Sequence, residues 1–184
     1  MMFRIALFIS TAILLSACGP KGTAEHRDEI RALILEADSL LEVAKELPDS
    51  EKAERLARKI TQQYRFFYEN YAEIEPDSIL MNWLSGLEAS RKYINRFSNE
   101  GEGFVNELQT TREQLIHLER DYHKGLLNDS TFLVYLADER AHFERTKIMG
   151  LKRIFPVIYY VKVMDEISSP LDSTIHYHES RMRL

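Results

Sequence analysis

Phe97-Ser98-Asn99-Glu100-Gly101-Glu102-Gly103-Phe104 is the stretch on which the architecture turns. Residues 98–103 hold two glycines and no apolar side chain, which reads as a loop. Two glycines inside a helix cost about 2 kcal/mol relative to alanine. Against this, Phe97 and Phe104 are seven residues apart, so an apolar helical seam crosses the glycines in phase. The loop reading divides residues 78–124 into two helices of similar length that can pack side by side. The helix reading joins them. The break is the expectation, with one helix from Ser78 to Lys124 as the alternative.

Working outward, the upstream helix presents Leu80, Trp83, Leu84, Leu87, Ile94 and Phe97 inward, and the downstream one Leu108, Leu115, Leu118 and Tyr122. Lys124-Gly125 suits a helix end, and Asn128-Asp129-Ser130 caps the next start. Earlier in the chain, Ile30, Leu33, Ala37, Leu40, Ala44 and Leu47 step by three and four, predicting a helix over about 25–47. Pro48-Asp49-Ser50 stops it, and Asp or Ser oxygens cap a second helix over about 51–74, with Ala53, Leu56, Ile60, Tyr64, Phe67, Tyr71 and Ile74 inward. Pro76-Asp77-Ser78 repeats the signal. A fifth helix starts near Thr131, with Phe132, Leu136 and Phe143 inward. It continues through Ile154, Val157, Ile158, Val161 and Met164, and Pro156 should kink or restart it. From Ser168 the pattern breaks, and residues 168–184 read as a tail. The expectation is an all-α, antiparallel bundle of about five helices with a kink near Pro156, occupying residues 29–167.

The amino terminus obeys a different logic. Arg4 supplies a positive end, Ile5 to Leu15 an apolar core too short to span a bilayer, and Ser16-Ala17 small residues before Cys18. Leu15-Ser16-Ala17-Cys18 resembles the lipobox of bacterial lipoproteins at all four positions, and the resemblance covers residues 1–18. It implies that residues 1–17 are a signal peptide, that the Cys18 thiol is acylated, and that the freed amine is usually acylated too. The chain has one cysteine, at the one place the motif needs it. An exported chain with that cysteine unmodified would carry an orphan thiol. Residues 18–28 then read as a lipidated tether. The expected partner is a lipid bilayer through acylated Cys18. The expected location is the bacterial envelope, on the outer membrane facing the periplasm, because the tether lacks the acidic cluster of some surface-exported Bacteroidota lipoproteins.

Charge narrows the function classes. The chain has 24 Lys+Arg against 29 Asp+Glu; removing residues 1–17 removes Arg4 alone, leaving 23 against 29, net −6. Nucleic acid and anionic headgroups are poor partners for that balance. No Ser/His/Asp spacing, phosphate-cradling glycine loop or zinc-protease motif occurs. A non-enzymatic interaction or scaffolding protein without cofactor is expected, with an envelope protein as partner. A small-ligand or metal-binding bundle is the alternative.

The candidate sites each have a plainer reading. Glu139 and His142 form one Glu-x-x-His unit at helical spacing; a di-iron bundle uses two. His142 lies about 110° from the Leu136/Phe143 stripe, which favours a solvated surface. Glu113, His117 and Asp121 suit surface charge pairing. His176 and His178 could chelate an ion only if extended, flanking Tyr177 and followed by Glu179. Tyr64, Phe67, Tyr68 and Tyr71 share one face and read as core. Phe66 points about 200° away from Tyr64, and an outward Phe66 between Arg65 and Glu69 suits a partner contact. The plainer account is a central helix buried on two sides.

Overall fold

Helices α1 (Ala24–Ala44) and α2 (Ser50–Glu69) are followed by a single turn, α3 (Tyr71–Ile74). Then come α4 (Ser78–His123), α5 (Asp129–Met149) and α6 (Pro156–Met182), with a π-helical turn at Gly150–Ile154 before α6. The computed structural model describes residues 24–182, and no strand occurs among them. The signal, Cys18 and the start of the tether lie outside the described residues. The all-α bundle of five long helices is present, with a slight bend in its C-terminal part.

Three rods make up the bundle. The first is α1 and α2 end to end, the second is α4, and the third is α5, the π turn and α6. Arg31 pairs with Glu119 at 2.8 Å and Asp38 with Arg112, so α1 runs antiparallel to α4. Tyr64 meets Arg91 and Tyr71 meets Met81, so α2 does the same. On the third rod, His142 meets Glu107, Arg153 meets Glu100, and Tyr160 stacks on Tyr93. That rod is also antiparallel to α4. The first and third rods are therefore parallel, and Glu29–Arg140 and Glu36–Lys147 bridge them in one register.

Residues 98–103 are helical, contrary to the expected break: α4 is one helix of 46 residues, about 69 Å long at about 1.5 Å per residue. Its buried side chains are Leu80, Leu87, Ser90, Ile94, Phe97, Gly101, Phe104, Leu108, Thr111, Leu115, Leu118 and Tyr122. From Leu87 onward they keep steps of three and four straight through the glycines. Gly101 is buried, and a Cβ there would lie 2.3 Å from the Phe97 ring. The break falls instead in the two flanking rods. The α1–α2 connection and the π turn both come close to the middle of α4: Ala44 and Lys45 line a groove with Val105, and Gly150 packs on Phe104.

The expected stop-and-cap signals hold. Asp49, Asp77 and Asn128 accept from the backbone N–H of Lys52, Leu80 and Thr131 at 2.6, 2.8 and 2.9 Å. Helix α2 stops five residues short of the expected Ile74. The Asn70 side chain donates to the Phe66 carbonyl at 2.8 Å, and Glu75 takes a left-handed conformation (φ 46°) before Pro76. At the π turn the Phe155 N–H reaches the Gly150 carbonyl at 2.9 Å, a wide loop that leaves room for the Pro156 ring.

Residues 168–182, expected as a tail, continue α6 through Pro170. An interior proline costs a helix about 3 kcal/mol. Two contacts offset this: Leu171 is fully buried, and the buried Gln63 of α2 donates to the Ser168 carbonyl at 3.1 Å and to Asp172 at 2.7 Å. Leu136, Phe143, Gly150, Val157, Met164 and Leu171 recur every seven residues and are all buried, so one seam runs across the π turn and both prolines.

The packing of Gly150 is testable. A Cβ there would lie 2.6 Å from a buried Phe104 ring carbon, so Gly150→Ala should cost about 1–3 kcal/mol despite its gain in helix propensity. Gly103→Ala meets nothing within 4 Å and should add about 0.5–1 kcal/mol. Urea unfolding of the two variants measures both.

Candidate functional site

The sequence candidates are dispersed by the fold. Glu139 is half-buried on α5, at a position in step with the buried Phe132, Leu136, Phe143 and Thr146. Burial pushes its carboxyl above the ordinary carboxylate range, and Asp138 adds to the push while His142 opposes it. His142 is half-buried and its Nε2 lies 2.5 Å from Glu107 Oε1 on α4. It is thus a rod-to-rod contact, not the solvated surface expected. Glu113 and His117 are exposed, and Asp121 accepts from Arg120 at 3.0 Å. His176 and His178 stand on helix, about 200° apart, which removes the shared face that chelation requires. No group of three or more His, Cys, Asp or Glu side chains that could hold a metal ion occurs among the described residues.

Phe66 does not point into solvent. It is half-buried, packs on the core edge and meets Phe67 edge-on at 5.5 Å. With Arg65 and Glu69 it lines an open groove of about 770 Å³ between α2 and α6. Helix α2 is therefore covered on two sides, by α4 and by α6. Charges along this groove are mostly matched: Arg55 pairs with Glu51, and Lys59 with Asp172 at 2.8 Å. A smaller pocket with a more aromatic lining lies on the opposite side of α2.

There, Tyr64, Phe67, Tyr68 and Tyr71 do share a face, but only Phe67 is buried. Tyr68 is 75% and Tyr71 48% exposed. The reason is position: α2 ends one residue after Tyr68, where no other described helix covers that face. These side chains line a pocket of about 210 Å³ with Met81, Leu84, Ser85 and Glu88 of α4. Tyr64 and Tyr68 stack with ring centroids 6.1 Å apart, the Arg91 guanidinium sits 4.0 Å above the Tyr64 ring, and the Tyr71 hydroxyl donates to Met81 Sδ at 3.2 Å. The aromatic run is visible in the sequence; its exposure is not, because the α2 terminus decides it.

Along the chain from the end of α2 into α4 the charge has one sign, while the Arg91 guanidinium over Tyr64 places a cation beside the pocket. Residues 66–88 contain Glu69, Glu73, Glu75, Asp77 and Glu88 and no Lys, Arg or His. Asp77 caps α4. The four glutamates are exposed and make no ion pair among the described residues. No family model, curated protein or solved structure matches the chain.

Two outcomes follow from these placements. A carboxyl shifted upward in the fold costs nothing below the ordinary carboxylate range and costs most above its own raised pKa. Glu139→Gln should therefore raise the melting temperature at pH 7, with the gain shrinking toward about pH 4. Phe66→Ala should destabilise by about 1–3 kcal/mol, less than a fully buried phenylalanine, by chemical denaturation.

Proposed function

We propose that this protein is a lipid-anchored bacterial envelope protein that acts as a non-enzymatic interaction module, a spacer with a binding surface at its far end. Cys18 is the proposed anchor, in the outer membrane and facing the periplasm. Two acyl chains suffice for stable attachment. No helix among the described residues is long and apolar enough to cross a membrane, so a membrane role for the described body rests on the anchor.

The observation that supports this reading is the polarity of the rod. Ala24, six residues after Cys18, begins α1 beside the α4–α5 turn, where His26 and Tyr122 both pack against Phe132. Six residues reach at most about 21 Å. The exposed tyrosines Tyr68 and Tyr71 lie at the opposite end of α4. An anchor at one end and an aromatic surface at the other suit a device that holds a partner at a set distance from a bilayer. The ion pairs between rods serve stiffness: Lys147, for example, is held above the ordinary lysine range by Glu144 and Glu36.

Mass spectrometry of the N-terminal peptide from the membrane fraction should find Cys18 as the first residue, carrying acyl mass. Cys18→Ala should leave the signal uncleaved. An unmodified Cys18 in a freely soluble wild-type product would remove the anchor from the proposal.

A further inference from the structure

The pocket at the α2–α4 end has a chemistry that names its occupant. Its floor is apolar, supplied by Phe67, Leu84 and Leu87, and its rim carries Met81 and the aromatic rings of Tyr68 and Tyr71. Glu88 lines it, and Glu73 and Glu75 stand in the short α3 connection that carries Tyr71; all three are exposed and without ion-pair partners among the described residues. An aromatic face with carboxylates beside it attracts cations, through the ring quadrupole and through charge. The protein already uses this attraction beside the pocket, since Arg91 lies over Tyr64, the ring stacked against Tyr68.

Size separates a side chain from a whole small molecule. Pockets that enclose a small ligand measure about 300–1,000 Å³; this one holds about 210 Å³ and is open. It accommodates one long side chain. Glu73, Glu75 and Glu88 follow one another from the α3 connection into α4, so a partner with several positive charges gains more than a partner with one. A second copy of this chain would bring the same acidic end and be repelled. Anionic lipid would be repelled for the same reason.

We propose that this end of the rod docks a basic polypeptide segment, with one lysine or arginine side chain laid in the pocket against Tyr68 and neighbouring cations paired with Glu73, Glu75 and Glu88. The proposal rests on the interaction-module reading and specifies its partner.

The test uses the full acylated chain in detergent and a fluorescent ten-residue peptide alternating arginine and glycine, with a glutamate–glycine peptide and tetramethylammonium as controls. Anisotropy should show the basic peptide binding and both controls failing to bind. Tyr68→Ala should weaken binding about tenfold and Glu88→Gln about threefold. Phe66→Ala, on the other side of α2, should leave it unchanged. Tyr68 and Glu88 are exposed, so their variants should keep wild-type circular dichroism. Equal binding by wild type and both variants would overturn the proposal, as would no binding of the basic peptide. Binding of tetramethylammonium comparable to the peptide would replace it with a small-cation site.

In cells, a benzoylphenylalanine cross-linker at Tyr68, Phe66 or Tyr135 separates the two levels of the argument. Adducts at Tyr68 with a protein whose cross-linked segment is basic support the docking site. Adducts only at Phe66 or Tyr135 sink the tip site and keep the module. Adducts at none of the three positions sink both.

Discussion

One buried seam, on one face of α4, holds the bundle together. From Leu80 to Tyr122 it keeps a heptad period across six repeats, and every other long helix packs on it. A straight α-helix drifts about 20° per heptad against such a seam, or about 120° over this length. Straight partners running the full distance would lose contact. Here both partners are interrupted near the middle: the first rod at the turn before Pro48, the third at the π turn before Pro156. Each half can then set its own angle on α4. Phe104 fits under Gly150 at that level and meets Phe155 edge-on at 5.4 Å, so the joint is packed and not merely loose.

Polar groups then select the register. Gln63 is buried, and its amide holds Ser168 and Asp172 where Pro170 weakens α6. His142 reaches Glu107, and Arg140 and Lys147 reach Glu29 and Glu36. Most of these pairs are part-exposed and each contributes little to stability. Their value is specificity: a heptad slip of one rod would leave the seam apolar but break these pairs together. A body so constrained transmits position along its length, which suits a spacer better than a hinge.

The ends of the rod differ in what they must tolerate. Beside α1 and the α4–α5 turn, Tyr122 stacks on Phe132 at 3.8 Å and donates to Asp129, closing that end. At the other end α2 stops at Glu69, and the same aromatic run that forms core at Phe67 emerges as surface at Tyr68 and Tyr71. A tyrosine is suited to both situations, being a large apolar ring with one polar atom. The exposed pair sits close to the carboxylates of residues 69–88.

Period and punctuation were legible in the sequence. The seams of α1 and α4, the caps at Asp49, Asp77 and Asn128 and the disturbance at Pro156 depend on hydrogen bonds and side-chain spacing within a turn or two, so local residues suffice to specify them. The tertiary structure decided which rod breaks, because Gly101 and Gly103 are permissive of either state and the choice lies with partners nearly fifty residues away. It also decided that Phe66 faces α6, that α6 survives Pro170, and that Tyr68 and Tyr71 are surface. Those outcomes depend on whether another helix lies alongside, and a helix's own residues carry its apolar stripe but not the extent of the neighbour that covers it.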